Sequence, residues 1–350
     1  MKIKILLVIN LIVIPILFLS CGQTKQQGKK IVPIRIGWQI PLATQGQVVQ
    51  VLKKTDLLEK HGLRGDFKSF SYGGPQCEAA LAGGLDVIFV GDQPVVNLIS
   101  RGGKWKIVSR LFYTKTAIMV TPKSDITKME HFKGKTIASP FGSVAHREAI
   151  LKEQAIGLNA DKDVSNINLD ILEISNVVQA GGEKSWGKID GVAVWEPSTS
   201  LFELNNLARV VDKTITLGVV AISDEFMGKY PEETSQFLVA LIKAWACFAT
   251  NQEQVNQWYI DDARLTYKPE ILKAASSIEP NINAKTIKAI DLHLTPNHIK
   301  TLEIAANWSF ERGFTKVLAN MPQAVNQMFL NNAIEIINKE GFDIKTVEVR

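Results

Sequence analysis

The sequence predicts an α/β protein of two lobes built on mostly parallel strands, and three observations lead there. From Ile31 onward, apolar strand-like runs alternate with helical ones, the pattern of repeated βαβ units. The 350 residues exceed what one hydrophobic core usually fills, and 46% hydrophobic with 21% charged residues suits folded domains, not disorder. Two strand-like runs, Ala117–Pro122 and Leu217–Ser223, stand where the chain leaves its first region and returns to it. They divide the body into lobe 1, residues 31–117 plus 223–350, and lobe 2, residues 118–222, joined by two crossing strands.

Taken in order, the chain opens with Lys2 and Lys4 and then runs apolar from Ile5 to Leu19, broken by Asn10 and Pro15, before Ser20-Cys21-Gly22. That is the layout of a secretory signal peptide over residues 1–20, too short for a comfortable membrane span. Phe18-Leu19-Ser20-Cys21 resembles the bacterial lipobox, with Phe18 where Leu is preferred, which implies cleavage before Cys21 and lipidation of its thiol. An uncleaved anchor helix is the other reading, and both put the body outside the cytoplasm and tethered to a membrane. Residues 21–30 are polar, basic and without an apolar anchor, hence a tether. Losing the leader lowers Lys plus Arg from 40 to 38 against 35 acids, a scattered net charge of +3 that excludes a nucleic-acid stripe.

In the body, strands are expected at Ile34–Trp38, Phe67–Tyr72, Asp86–Val90, Trp105–Leu111, Thr136–Ser139, Leu169–Glu173 and Gly191–Trp195. Between them fall helices from Val48 to His61, Glu78 to Ala82, Pro94 to Ile99, Val144 to Ile156 and Val177 to Lys184. The last third reads as helix, with Pro231 at a first helical position and Phe237, Leu238, Leu241, Ile242, Trp245 and Phe248 on one core-facing stripe. Cys77 and Cys247 read as buried free thiols, with a disulfide between them the open alternative. Pro296 between His293 and His298 spoils a helical metal pair, and no metal or cofactor is expected.

Ligands of open α/β sheets bind beyond the carboxyl ends of the strands, so the strand-to-helix turns are the candidate site. Four qualify: Trp38 and Gln39 through Thr44 and Gln45; Gly91, Asp92 and Gln93; Gly142, Ser143 and His146; Trp195 and Glu196. In the third, Gly142 permits close backbone approach and Ser143 caps the helix from Val144, which leaves free amide N–H groups and a positive dipole end for an anion. His146 and Arg147 either add donors there or form a solvated helix start. Asp92 and Glu196 either face a cationic or hydrogen-donating end of the ligand or serve locally, Asp92 as a helix cap. Trp38 and Trp195 are ligand walls or core. No Gly-x-Ser-x-Gly elbow, P-loop or HExxH occurs, and nothing pairs a nucleophile with a base, so no catalytic role is expected.

Three blocks carry a resemblance: Ala80–Val87 with Val90–Pro94, Gly134–Ala138 with Pro140–His146, and Ile189–Pro197. They resemble the substrate-binding proteins of ABC importers for sulfonates, nitrate and taurine, a family that includes relatives of pyrimidine- and thiamine-precursor synthases. The chain departs from the family's simpler single-glycine run at Gly181–Gly187. The resemblance implies a type II periplasmic-binding fold and ligand contacts from the four turns above. It implies an extracytoplasmic, membrane-anchored lipoprotein that delivers a small anionic organic solute, such as a sulfonate, to ABC permease subunits. A pyrimidine or thiamine precursor or an inorganic oxyanion (nitrate, bicarbonate) is the alternative ligand, and an exported enzyme or a sensor subunit the remaining readings. The pyrimidine-synthase member relies on a cysteine cluster that this chain lacks, which argues against the enzyme.

Overall fold

A computed structural model describes residues 31–350, so the leader over 1–20, Cys21 and the tether over 21–30 lie outside the described residues. Strand β1 (Val32–Gln39) buries Val32, Ile34, Ile36 and Trp38 from alternate positions, as a period of two requires. Two helices follow where the sequence reads one: α1 (Gln45–Lys54) stops at Thr55, which is extended, and α2 (Leu57–Lys60) restarts after it. After β2 (Leu63–Phe70), α3 (Gly73–Leu81) begins five residues earlier than expected, at Gly73-Gly74-Pro75. Then come β3 (Val87–Gly91) and α4 (Asp92–Ser100). The runs expected as separate strands at Trp105 and Ala117 are one 16-residue strand, β4 (Trp105–Val120).

The second region holds β5 (Thr136–Ser139), α5 (Val144–Ala155), β6 (Ser165–Asn168) and α6 (Ile171–Gly181). A strand at Leu169–Glu173 does not form. Asp170 and Glu173 make a reciprocal capping box, the Asp170 side chain accepting from Leu172 N and Glu173 from Asp170 N, and this starts a helix inside the expected strand. Gly182, at φ 56°, ends that helix earlier than the Lys184 expected. The Gly181–Gly187 departure is closed by buried Trp186, whose Nε1 donates to Gly182 O at 3.2 Å. Next are β7 (Gly191–Trp195), α7 (Ser198–Leu204) and β8 (Arg209–Ser223), of which Leu217–Ser223 is the second half. The rest is helical: α8 (Asp224–Lys229), α9 (Pro231–Thr250), α10 (Gln252–Ala263), α11 (Pro269–Ser276), α12 (Pro296–Glu311), α13 (Met321–Ala324) and α14 (Met328–Glu340). Cys77 and Cys247 are both free and buried.

One eight-stranded sheet, in the order β2-β1-β3-β8-β4-β7-β5-β6, carries all of this. Pairs β1/β2, β1/β3, β5/β6 and β5/β7 are parallel, while β4 and β8 run antiparallel through the centre. Alternation sorts the core: Val87, Phe89, Val220 and Ile222 point to the side packed by α1 and α9, whereas Ile88, Val90, Val219 and Ala221 join a second cluster with α4 and α12. Strands β3 and β7 are apolar throughout, as strands covered on both faces must be.

The centre positions the site. β8 pairs with β3 only over Gly218–Ile222, and β4 pairs with β7 only over Thr116–Val120. Between those stretches, Tyr113–Lys115 and Ile215–Leu217 pair with each other alone among the described strands. The sheet therefore has a waist two strands wide.

Candidate ligand-binding site

A cavity lies at this waist. Its floor is Phe112, Thr114 and Thr116 of β4 with Thr216 and Leu217 of β8. Gln39, Leu42, Gly73, Gly91 and Pro94 form one wall, and Ser143, Val144 and Trp195 the other. None of the thirteen lining residues is charged.

Three helices begin at this cavity. Gly73 opens α3, Gly91 is the residue before α4, and Ser143 caps α5 by accepting from His146 N at 3.2 Å. The first amide N–H groups of a helix have no partner within it, and the aligned peptide dipoles place partial positive charge at that end. Three such ends around an uncharged, mostly apolar hollow make a setting for one anionic group that no side-chain cation neutralises. Close approach is built into the backbone: a Cβ on Gly91 would lie 2.8 Å from Val144 Cγ2. The floor adds hydroxyls. Thr116 and Thr216 bond each other at 2.9 Å, whereas the buried Oγ1 of Thr114 has no protein partner.

Of the residues singled out in the sequence, Gln39, Gly91, Ser143 and Trp195 line the cavity. The others are near in sequence and turned elsewhere. Trp38 is core, 6.4 Å from the ring of Tyr259. Gln45 accepts from Gln39 N at 2.6 Å, and Thr44, at φ 69°, donates its N–H to Gln47, so both serve the turn before α1. Gly142 takes φ 74° and donates to His146 Nδ1 at 3.3 Å. The His146 ring is stacked on Phe141 (4.2 Å) and meets Trp308 and Phe314 edge-on. Burial, with Arg312 adding to it, holds its imidazole down at about 4, hence neutral.

Both acids are paired within the protein. Asp92 is fully buried and bound by both terminal nitrogens of Arg147, at 3.1 and 3.0 Å. Burial pushes the Asp92 carboxyl up, opposed by that guanidinium. Gln93 also accepts from Arg147, at 3.3 Å, and donates to Ser309 at 2.6 Å and Asn97 at 2.9 Å. Glu196 accepts from Ser200 N and Oγ at 3.0 and 2.9 Å and sits 3.2 Å from Lys115 Nζ. Burial works to lower the Lys115 ammonium, but Glu196 and Glu203 outweigh it and hold it above the ordinary range. Arg147 also bridges Glu148 at 3.0 Å and Lys115 also bonds Glu203 at 2.6 Å, so each acid stands in an internal ion-pair cluster instead of lining the cavity as expected for a ligand contact.

Sequence reasoning missed Gly73 and the strand residues Phe112, Thr114, Thr116, Thr216 and Leu217. The one available signal was three threonines in two runs that could cross at the centre.

No family model matches the chain. It is 26% identical over 292 residues, 80% of its length, to the "Putative aliphatic sulfonates-binding protein" of Bacillus subtilis (strain 168), 86% of which is covered. Among solved structures it is similar to the alkanesulfonate-binding protein SsuA of Xanthomonas axonopodis pv. citri bound to MOPS, with a TM-score of 0.70 and 20% identity over 85% of this chain and 99% of that one. The desulfurization enzyme DszB shares the architecture at a TM-score of 0.62 and 13% identity, over 87% of this chain and 99% of that one. The chain thus has the periplasmic-binding-protein fold, and its resemblance to the putative aliphatic sulfonates-binding protein extends over four-fifths of its length.

Proposed function

We propose that this protein is an extracytoplasmic solute-binding protein of an ABC importer that captures a small organic anion, a sulfonate in kind, and presents it to permease subunits. One observation carries the reading: three helix N-termini open on one cavity that contains no charged side chain. A monoanion seated there exchanges its water for amide N–H groups and for the hydroxyls of Ser143 and Thr114. Relatives described as a putative aliphatic sulfonates-binding protein, a putative ABC transporter periplasmic binding protein and a taurine-binding periplasmic protein support the class. Lipidation at Cys21 would hold the protein at its membrane.

On this reading 31–117 with 223–350 and 118–222 act as lobes, and β4 and β8 are the hinge. Gly218–Ile222 then move with lobe 1, because they pair with β3. An enzymatic reading, kept open by the DszB fold, has little here to work with: no Cys, His or carboxylate lines the cavity, and burial raises the Cys77 thiol far above its ordinary value. Calorimetry of the protein from residue 31 with alkanesulfonates, nitrate, bicarbonate and an uncharged pyrimidine tests the proposal. Sulfonate binding without turnover is the expected result. Binding of the uncharged heterocycle in preference to any anion would overturn it, as would conversion of a bound sulfonate.

A further inference from the structure

The same cavity also discriminates on the part of the ligand that is not the anion. Resting on the proposed anion site, we propose that the cavity selects organic anions whose remainder is uncharged and rejects aminosulfonate zwitterions, because no carboxylate lines it and the two that adjoin its lining are bound inside the protein, Asp92 by Arg147 and Glu196 by Ser200 and Lys115.

Asp92 lies between Gly91 and Pro94, which both line the cavity, and Glu196 follows Trp195, which also does. Either acid would be the natural partner of a ligand ammonium. Neither is available. The Asp92 carboxylate is held at both oxygens by Arg147, itself 2% exposed, and Glu196 at both oxygens by Ser200, with Lys115 beside it. What remains in the cavity for an ammonium is hydroxyl oxygen, side-chain amide and carbon. The three helix ends that attract the anion repel a cation placed a few ångströms away. An ammonium there is a buried charge without a counter-charge, whereas a methyl group meets Leu42, Phe112, Val144 and Leu217. A terminal hydroxyl is tolerated, since the Thr116 and Thr216 oxygens, though bonded to each other, keep lone pairs that accept from it. Arg147 and Lys115 are thus specificity-determining residues that touch no ligand: by occupying the acids they remove the one feature that would favour a zwitterion.

The test uses the wild-type protein and three ligands of nearly equal size: butanesulfonate, terminal hydroxypropanesulfonate and terminal aminopropanesulfonate, titrated calorimetrically at pH 7. The expected result is that the butyl and hydroxypropyl compounds bind within about tenfold of each other and the amino compound at least about 100-fold more weakly. The hydroxyl compound separates charge from polarity. If the amino compound binds within tenfold of the hydroxyl compound, this inference falls and the anion site stands. If none of the three binds, the sulfonate reading falls and takes this inference with it.

Discussion

Helix α5 borders two regions of opposite chemistry. Its first residues, Ser143 and Val144, face a cavity without a single charge. One turn later, His146 and Arg147 face a seam against α4 and α12 that holds the Asp92–Arg147 pair, the His146-Trp308-Phe314 aromatic group and, at its exposed edge, the bidentate Arg312–Asp161 pair, and further along the helix buried Glu153 accepts from Asn166 of β6. The contrast shows where this protein uses charge. Ion pairs hold helices of distant sequence together, and the ligand is met by dipoles and hydroxyls, which attract an anion without the strong desolvation of a buried cation.

The most damaging change breaks the seam. Arg147→Met leaves the fully buried Asp92 without its counter-charge and should lower unfolding free energy by about 3–5 kcal/mol in urea melts. The double change Asp92→Leu with Arg147→Met removes both charges and should recover most of that loss. A single-variant loss below about 1 kcal/mol would show that charge does not hold the seam.

The seam also predicts a pH dependence that cancels in the wild type. His146 sits at about 4 against an ordinary 6.5, so the unfolded chain takes up its proton first and stability is lost as pH falls from 6.5 toward 4. Glu153 is pushed up to about 7 from 4.5 by burial, which Asn166 and Arg312 oppose. Its folded form keeps the proton longer, so stability is lost as pH rises from 4.5 through 7. Each acts by up to about 3 kcal/mol and in opposite directions over the shared window. Denaturant midpoints between pH 5 and 6.5 should change little for the wild type, rise with pH for Glu153→Gln and fall with pH for His146→Gln. Parallel profiles for the two variants would refute the pairing.

The cavity and the seam differ equally in how far the sequence discloses them. The turns were legible because Gly91, Pro94, Gly142 and Ser143 are residues that only certain backbone and cap geometries favour. Gly73-Gly74-Pro75 reads as a loop by the same rule, yet it starts a helix, since glycine marks a special backbone without specifying the element that comes after it. Thr114, Thr116 and Thr216 were hidden because nothing local reveals that a third strand is missing beside them. The orientation of Asp92, His146 and Arg147 depends on α12, some 150 residues downstream of α5. A turn's composition tells that it is a turn and not which of its side chains faces the hollow.

A smaller effect should appear at the waist. Gly218 lies opposite Phe112 across β4 and β8, and a Cβ there would overlap the Phe112 ring. Phe112 is cavity floor, so Gly218→Ala drives the ring toward the ligand's space. Overpacking of this kind costs about 1–3 kcal/mol of stability. Calorimetry should show a larger loss for butanesulfonate than for the shorter methanesulfonate. Equal losses would mean that the ring yields away from the cavity.

The smallest and most diagnostic effect concerns two threonines on one face of β4. Thr116 bonds Thr216 at 2.9 Å, so Thr116→Val removes a made hydrogen bond and should lower stability by about 1 kcal/mol. Thr114 Oγ1 is buried without a protein partner, so Thr114→Val removes only an unmet polar group and should leave the ligand-free protein as stable or slightly more so. Binding should reverse the order. Thr114 is free to donate to a ligand oxygen, a bond worth about 1–1.5 kcal/mol, so its loss weakens sulfonate affinity roughly tenfold. Thr116 is already occupied, so its replacement should change affinity by less. Thermal melts of both variants with and without butanesulfonate read the two quantities together. If Thr114→Val lowers the ligand-free Tm as much as Thr116→Val and binds as the wild type does, the Thr114 hydroxyl serves the protein and not the ligand.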